Sequence, residues 1–338
     1  MDRISLGNEE FEGNNNAYVL DGGDGDALAL VDTGIAMSDC RAQLRTGLAE
    51  RGYEFADVDD IVLTHFHPDH AGLVGEIQAE SDATVYVHEA DAPLVAQDTD
   101  AVAAFDRQRR DVLEEWGLPD EPRSELLGFL EAVREIQGEG ADVTSIADGD
   151  TVAVGGHTLE AVHTPGHTAG LCCLEIGEMP ETTGGDEGVD GLEAFVGDAI
   201  LPVYTPNVGG ADVRVERPLE KYLTSLERIA DREYDRVWPG HRDPIDDPTD
   251  RALTIRDHHR ERTGNVLEVL TEHGPADPWT VSAHLFGDLE GIHILHGPGE
   301  AYAHLDHLRH EGIVALEDGE YRLVDPDADI AAVVSSTH

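Results

Sequence analysis

The chain almost lacks lysine and is poor in positive charge of any kind. Lys221 is the one lysine among 22 basic residues, which face 71 acids for a formal net charge of -49. Phosphate backbones and anionic lipid surfaces are bound through cationic contacts, so this balance argues against a nucleic-acid or membrane-surface binder. Cysteine is scarce as well. Cys40, Cys172 and Cys173 are too few for a disulfide framework and read as reduced core thiols of a cytoplasmic protein. Cys172 and Cys173 are adjacent in a predicted strand over 171–176, so they should face opposite sides of it. No apolar run approaches the roughly 20 residues that span a bilayer, and the acidic N-terminus does not read as a secretory leader. The acids are spread along the whole chain, with blocks such as Asp57–Asp60 and Asp325–Asp329 separated by apolar periodic segments. This pattern predicts a solvated acidic surface of the kind suited to a salt-rich cytoplasm. Its self-repulsion would be screened by salt, so stability should depend on ionic strength.

What is present is a dense set of metal-ligand side chains. Residues 64–72 read Thr-His-Phe-His-Pro-Asp-His-Ala-Gly and place His65, His67, Asp69 and His70 within six positions. Imidazole and carboxylate are the ligands preferred by zinc and similar divalent ions. The apolar run before this motif predicts a buried strand, and Pro68 and Gly72 mark the turn beyond it. Four ligands so close together in the sequence can hardly all bind one ion, so two adjacent metals are expected. Three later segments repeat the arrangement of a short apolar stretch, then Gly or Pro-Gly, then a ligand-type side chain. They end at His167 (in His163-Thr-Pro-Gly-His167), Asp198 (in Phe195-Val-Gly-Asp198) and His241 (in Val237-Trp-Pro-Gly-His241).

With these segments in this order, the chain resembles the metallo-β-lactamase superfamily over roughly residues 10–245. The resemblance implies an αββα sandwich, of α+β class, with the metals at one edge. It implies that His65, His67 and His167 hold one metal, that Asp69, His70 and His241 hold the second, and that Asp198 bridges them. The early Asp32, in Leu-Val-Asp-Thr-Gly, would orient the metal loop, and Asp69 would orient or deprotonate the attacking water. Two divalent ions, Zn2+ or else Mn2+ or Fe2+, would share a hydroxide nucleophile. Several positions narrow the subclass. The bridging position is Asp198 rather than the Cys of secreted zinc β-lactamases, and position 67 is His where the diiron flavoproteins carry Glu. Leu201 stands where quorum-lactone hydrolases carry Tyr. A glyoxalase-II-like hydrolase of a small ester or thioester is the leading expectation. A metal-dependent ribonuclease and an iron persulfide dioxygenase remain as alternatives.

The rest of the chain is expected to form two units, a catalytic domain over 1–250 and a smaller one over 251–338. Residues 89–140 read as a helical insertion, either covering the active site or packed outside it. His88 reads as a surface residue beside the insertion, or as one lining the site. Arg107, Arg109 and Arg110 stand out there, for pairing with neighbouring acids or for an anionic substrate. Residues 177–194, rich in Gly and acids, read as a mobile loop. Beyond 252, helices separated at Gly274-Pro275 and Gly297-Pro-Gly, then a hairpin about Glu317–Glu320, resemble a winged helix. Such a C-terminal unit occurs in the lactamase-beta-2-like group, some of whose members cleave single-stranded RNA. Residues 256–338 nevertheless carry five arginines against sixteen acids, so a packing, dimerising or substrate-shaping role is expected over nucleic-acid reading. His304 and His307 share a helix face and form an adventitious metal-site candidate. The expected partner is a small-molecule substrate, with self-association left open and no membrane.

Overall fold

Runs of buried apolar residues too short for helices build two sheets. The computed structural model describes residues 1–7, 13–22, 27–177, 191–326 and 328–335. Strands β1 (Asp2–Leu6), β2 (Asn15–Asp21), β3 (Leu28–Val31), β4 (Val58–Val62), β5 (Thr84–His88) and β6 (Val143–Ile146) form the first sheet in that spatial order. The β1–β2–β3 pairs are antiparallel, and from β3 onward the pairing is parallel. Parallel neighbours need crossovers, which are the helices α1 (Ser38–Ala49), α2 (Pro68–Ala71), α3 (Val74–Ser81), α4 (Ala92–Val95), α5 (Thr99–Glu115) and α6 (Asp120–Val133). The second sheet runs through β7 (Thr151–Val154), β8 (His157–His163), β9 (Cys172–Gly177), β10 (Glu193–Gly197) and β11 (Arg236–Pro239), with β11 parallel to β10.

The core divides into layers that follow from strand alternation. One layer packs the outer face of the first sheet on α1 and α3, through Leu30, Ile61, Cys40, Leu44 and Ile77. A middle layer lies between the sheets, where Tyr18, Val31 and Val62 meet Leu159, Cys172 and Phe195. The outer face of the second sheet forms a third with α7 (Pro218–Asp231) and α8 (Pro248–His273). Two sheets are therefore sandwiched between helices. As alternation requires, Cys172 lies in the middle layer and Cys173 in the outer one.

The C-terminal region contributes α9 (Pro278–Phe286), α10 (His293–His310), β12 (Val314–Glu317), β13 (Glu320–Leu323) and α11 (Ile330–Ser335). Its Leu305, Leu308, Val314 and Val333 are part of the same outer apolar layer as Val196 and Leu226. The expected boundary at 250 falls inside α8.

Two local expectations are corrected. Gly297-Pro298-Gly299 does not interrupt the last long helix, since α10 runs through it. These glycines serve close approach instead: a Cβ on Gly299 would overlap the backbone of Gly210, and one on Gly297 would come within 2.5 Å of Leu289. His88 is buried rather than exposed and stacks on His163 with ring centroids 4.0 Å apart. The 177–194 loop falls largely outside the described residues.

Candidate metal centre

The seven ligand candidates of the four strand-end motifs lie at one edge of the sandwich. The tip of β4 delivers Thr64 to His67, and the single turn of α2 places Asp69 and His70. The loop after β8 brings His167, β10 ends one residue before Asp198, and β11 ends just before Gly240-His241. Gly240 has to be glycine. A Cβ there would overlap His70 Cε1 and come within 2.6 Å of Asp198 Oδ1.

The side chains fall into two facing groups. In the first, His67 Nδ1 lies 3.0 Å from His65 Nε2 and 3.1 Å from His167 Nε2. In the second, His241 Nε2 lies 3.4 Å from Asp69 Oδ2, and His70 Nε2 lies 3.8 Å from the same oxygen. Asp198 faces both groups. Its Oδ2 is 3.6 Å from His167 Nε2 and 3.4 Å from His241 Nε2, and its Oδ1 is 3.5 Å from His70 Nε2.

On four of the five rings the proton can be assigned from the outer nitrogen. Asp32 Oδ2 accepts from His70 Nδ1 at 2.9 Å and from the Thr64 hydroxyl at 2.8 Å. Having donated to Asp32, Thr64 Oγ1 accepts from His65 Nδ1, 3.0 Å away. Asp32 Oδ1 also takes the Thr64 amide at 2.8 Å. His67 Nε2 donates to Ala211 O at 3.1 Å, and His167 Nδ1 to Asn207 O at 2.9 Å. Carbonyl and carboxylate oxygens can only accept, so in its neutral form each of these four rings turns an unprotonated nitrogen inward.

A centre of converging lone pairs and carboxylates is costly unless a cation fills it. Buried His70 Nε2, Asp198 Oδ1 and His241 Nε2 have no hydrogen-bond partner among the described residues. Three mutually facing imidazole nitrogens and a carboxylate-rich partner group fit two divalent ions on the His/Asp ligand pattern. The charges split the same way. Burial, helped by neighbouring rings, lowers His65 well below the usual histidine range and His67 to about 4. For His70 and His241 burial works in the same direction but the carboxylates win, raising His241 to about 10. Asp198 is held low despite burial, chiefly by His241 and His70.

Residues with no sequence signal complete the frame. Asn15 Nδ2 donates to Asp69 Oδ2 at 3.1 Å. Buried Asp91 accepts from the Phe66 amide and the Thr168 hydroxyl, both at 3.2 Å, and so ties the first motif to the His167 turn. Arg214 joins Asp91 to Asp212 at 2.6 and 2.7 Å, which sets one guanidinium between two buried carboxylates. A cavity of about 470 Å³ opens beside His67, Asp69, His167 and Asp198. Its walls come from three places. Phe105, Arg109, Leu130 and Val133 are from α5 and α6, Leu201 and Tyr204 from the loop after β10, and Ile292, His293 and His296 from α10 and its approach. The helical insertion thus covers the site. Arg109 is shared with Asp106 and lies over Phe105. His304 and His307 do not act together. His307 Nε2 bonds Val333 O, while His304 groups with His259 and Glu300.

The metallo-beta-lactamase superfamily model matches residues 11–241. A metallo-beta-lactamase family protein from Thermus thermophilus superposes with a TM-score of 0.80 at 30% identity, covering 96% of this chain and 98% of its own. The probable metallo-hydrolase YqjP of Bacillus subtilis is 28% identical over 85% of this chain and 86% of its own length. A beta-lactamase-like protein 2 homolog of Caenorhabditis elegans is 26% identical over 81% of this chain and 71% of its own.

Proposed function

The chain belongs to the metallo-beta-lactamase superfamily, as a metallo-hydrolase of that fold, and from this premise we propose that it hydrolyses an ester or thioester of a small metabolite at a dinuclear centre. His65, His67 and His167 would hold one ion, Asp69, His70 and His241 the other, and Asp198 would lie between them. Zinc suits this donor set, as do manganese and iron. When bound, two divalent ions supply Lewis acidity toward water and toward the carbonyl under attack. Asp69 lines the cavity beside the centre, which supports the reading that it would orient the attacking water or take its proton. Asp32 keeps His70 and, through Thr64, His65 in the tautomers that leave the inward nitrogens free.

The cavity carries the choice of substrate. It is bounded by inserted helices and α10, mixes apolar walls with Arg109 and Arg242, and has the size of a small-molecule site. That shape suits an acyl group with an anionic part rather than a polynucleotide strand. RNA cleavage is the second reading. It is supported by the helices and hairpin of residues 251–338, which we read as a winged-helix-like domain, and opposed by that region's acidity.

The test is metal analysis with turnover in molar KCl, using an acyl-thioester panel and a fluorescent single-stranded RNA. Two zinc ions per chain with thioester turnover, both lost in Asp198→Ala, are expected; the rate should fall by on the order of 10³-fold or more. RNA cleavage lost in the same variant would replace this reading with the nuclease. One iron and no hydrolysis would point to sulfur oxidation.

A further inference from the structure

We propose that Glu300, on α10, is a positioning residue for the His65–His67–His167 half of the centre, acting through the loop at 207–211; this rests on the metal-binding reading above. Two of the three histidines in that half are oriented by main-chain carbonyls of this loop, Asn207 O for His167 and Ala211 O for His67. The loop lies between β10 and α7 and has no helix or strand of its own to hold those carbonyls. Its anchor is α10. Glu300 Oε2 accepts from Asn207 Nδ2 and from the Val208 amide, both at 3.2 Å. Asn207 Nδ2 also donates to His296 O at 3.1 Å, and Asn207 Oδ1 takes the Gly210 amide at 3.1 Å. The contact is tight enough to need glycine on both sides, since a Cβ on Gly209 would overlap Gly299 O and one on Gly299 would overlap Gly210.

The second oxygen of Glu300 faces a cluster of one guanidinium and two imidazoles. Oε1 lies 3.6 Å from Arg262, 3.7 Å from His304 Nε2 and 3.8 Å from His259 Nδ1. Thr263 donates to His259 O, so it accepts from His304 Nδ1 at 2.8 Å and leaves His304 Nε2 unprotonated. That nitrogen is 3.3 Å from His259 Nδ1, which can donate to it. The group is thus a neutral histidine pair with one carboxylate opposite one guanidinium. Arg262 already supplies a positive charge beside Glu300, so the cluster serves as a post for the carboxylate. A buried carboxylate held this way loses little freedom when it grips the loop, and the loop's carbonyls inherit that rigidity.

The experiment is a competition titration of zinc against a chromophoric chelator in molar KCl. It uses the full chain as wild type, Glu300→Ala, Glu300→Gln and Leu308→Ala. Leu308→Ala removes buried packing from the same helix without touching the loop's hydrogen bonds. Glu300→Ala should weaken one of the two zinc equivalents about tenfold, the lower end of what loss of an orienting partner costs. Glu300→Gln, which keeps an acceptor for the loop, should recover most of that loss. Leu308→Ala should melt at lower temperature yet hold both zinc ions as wild type does. Unchanged affinities in Glu300→Ala, or the same loss in Leu308→Ala, would overturn the role. So would a third wild-type zinc that alone disappears in Glu300→Ala. A wild-type chain that takes up no zinc pair overturns the proposed function itself, and this inference with it.

Discussion

His65 and His70 take their orientation from side chains, Thr64 and Asp32, that sit in or beside recognisable motifs. His67 and His167 take theirs from the main-chain carbonyls of Ala211 and Asn207, in a loop with no motif at all. The two arrangements do the same chemical work, since each uses up one ring nitrogen so that the other stays free. They differ in what they demand of the chain. A carboxylate orienter is written into the sequence as a residue type. A carbonyl orienter is available at every residue, so its cost is moved to whatever holds the loop.

The comparison can be broken most strongly at Gly240. A Cβ there strikes His70 and Asp198 but none of His65, His67 or His167. Gly240→Ala should lower turnover by about 10²-fold or more, the scale of misplacing groups by an ångström. Metal analysis should find the second zinc lost and the all-histidine half still occupied; loss of both together would show that the halves are not separable. A smaller effect is expected from Asp32→Asn. Asp32 has a left-handed backbone, with φ of 57°, and Asn tolerates that conformation as Asp does, so the change is confined to the acceptors. Zinc affinity should fall about 10- to 100-fold, mainly in the half that contains His70. Equal weakening of both halves would erase the distinction.

The smallest effect sharpens the comparison through pH, in the metal-stripped protein. His67 is lowered to about 4 by burial, so as pH falls from 6.5 toward 4 the unfolded chain binds a proton that the folded one refuses, and stability drops. His241 is raised to about 10 by Asp198 and Asp69 against the effect of burial. The folded chain therefore keeps that proton where the unfolded one loses it. This contribution is complete below 6.5 and is lost as pH rises through 10. Melting temperatures followed across this range should decline on both sides, and His241→Gln should reduce the alkaline decline, which His70 shares, while leaving the acid side in place. An alkaline decline unchanged by the substitution would assign it to other groups.

Much of this site is legible in the sequence because ligand chemistry tolerates few residue types. His65, His67, Asp69, His70, His167, Asp198 and His241 each follow a short apolar strand, and the structure brings all seven to one edge. The helical insertion is readable for a similar reason, with Gly117 closing one helix and Asp120 opening the next. Strands β6 and β7 are not, since they are four residues each and half exposed, and leave no alternation to detect. Asn15, Asp91, Asp212 and Arg214 cannot be singled out in a chain with 71 acids, where one more acid carries no information until the fold pairs it. Gly297-Pro298-Gly299 misleads in the opposite direction. Residues that usually end a helix remain inside one here because the neighbouring loop leaves no room for a side chain.

The three cysteines have a practical consequence that follows from the layering. Cys40 lies under the first sheet, Cys172 between the sheets and Cys173 beneath the second, all buried and unpaired. A thiol reagent reaches each one only when its own layer opens. The chain therefore carries a built-in label for each of these three strata. Reaction rates at the three positions, with Cys172 and Cys173 separated by fragment mass, would report the order in which the strata part, without any substitution to perturb them.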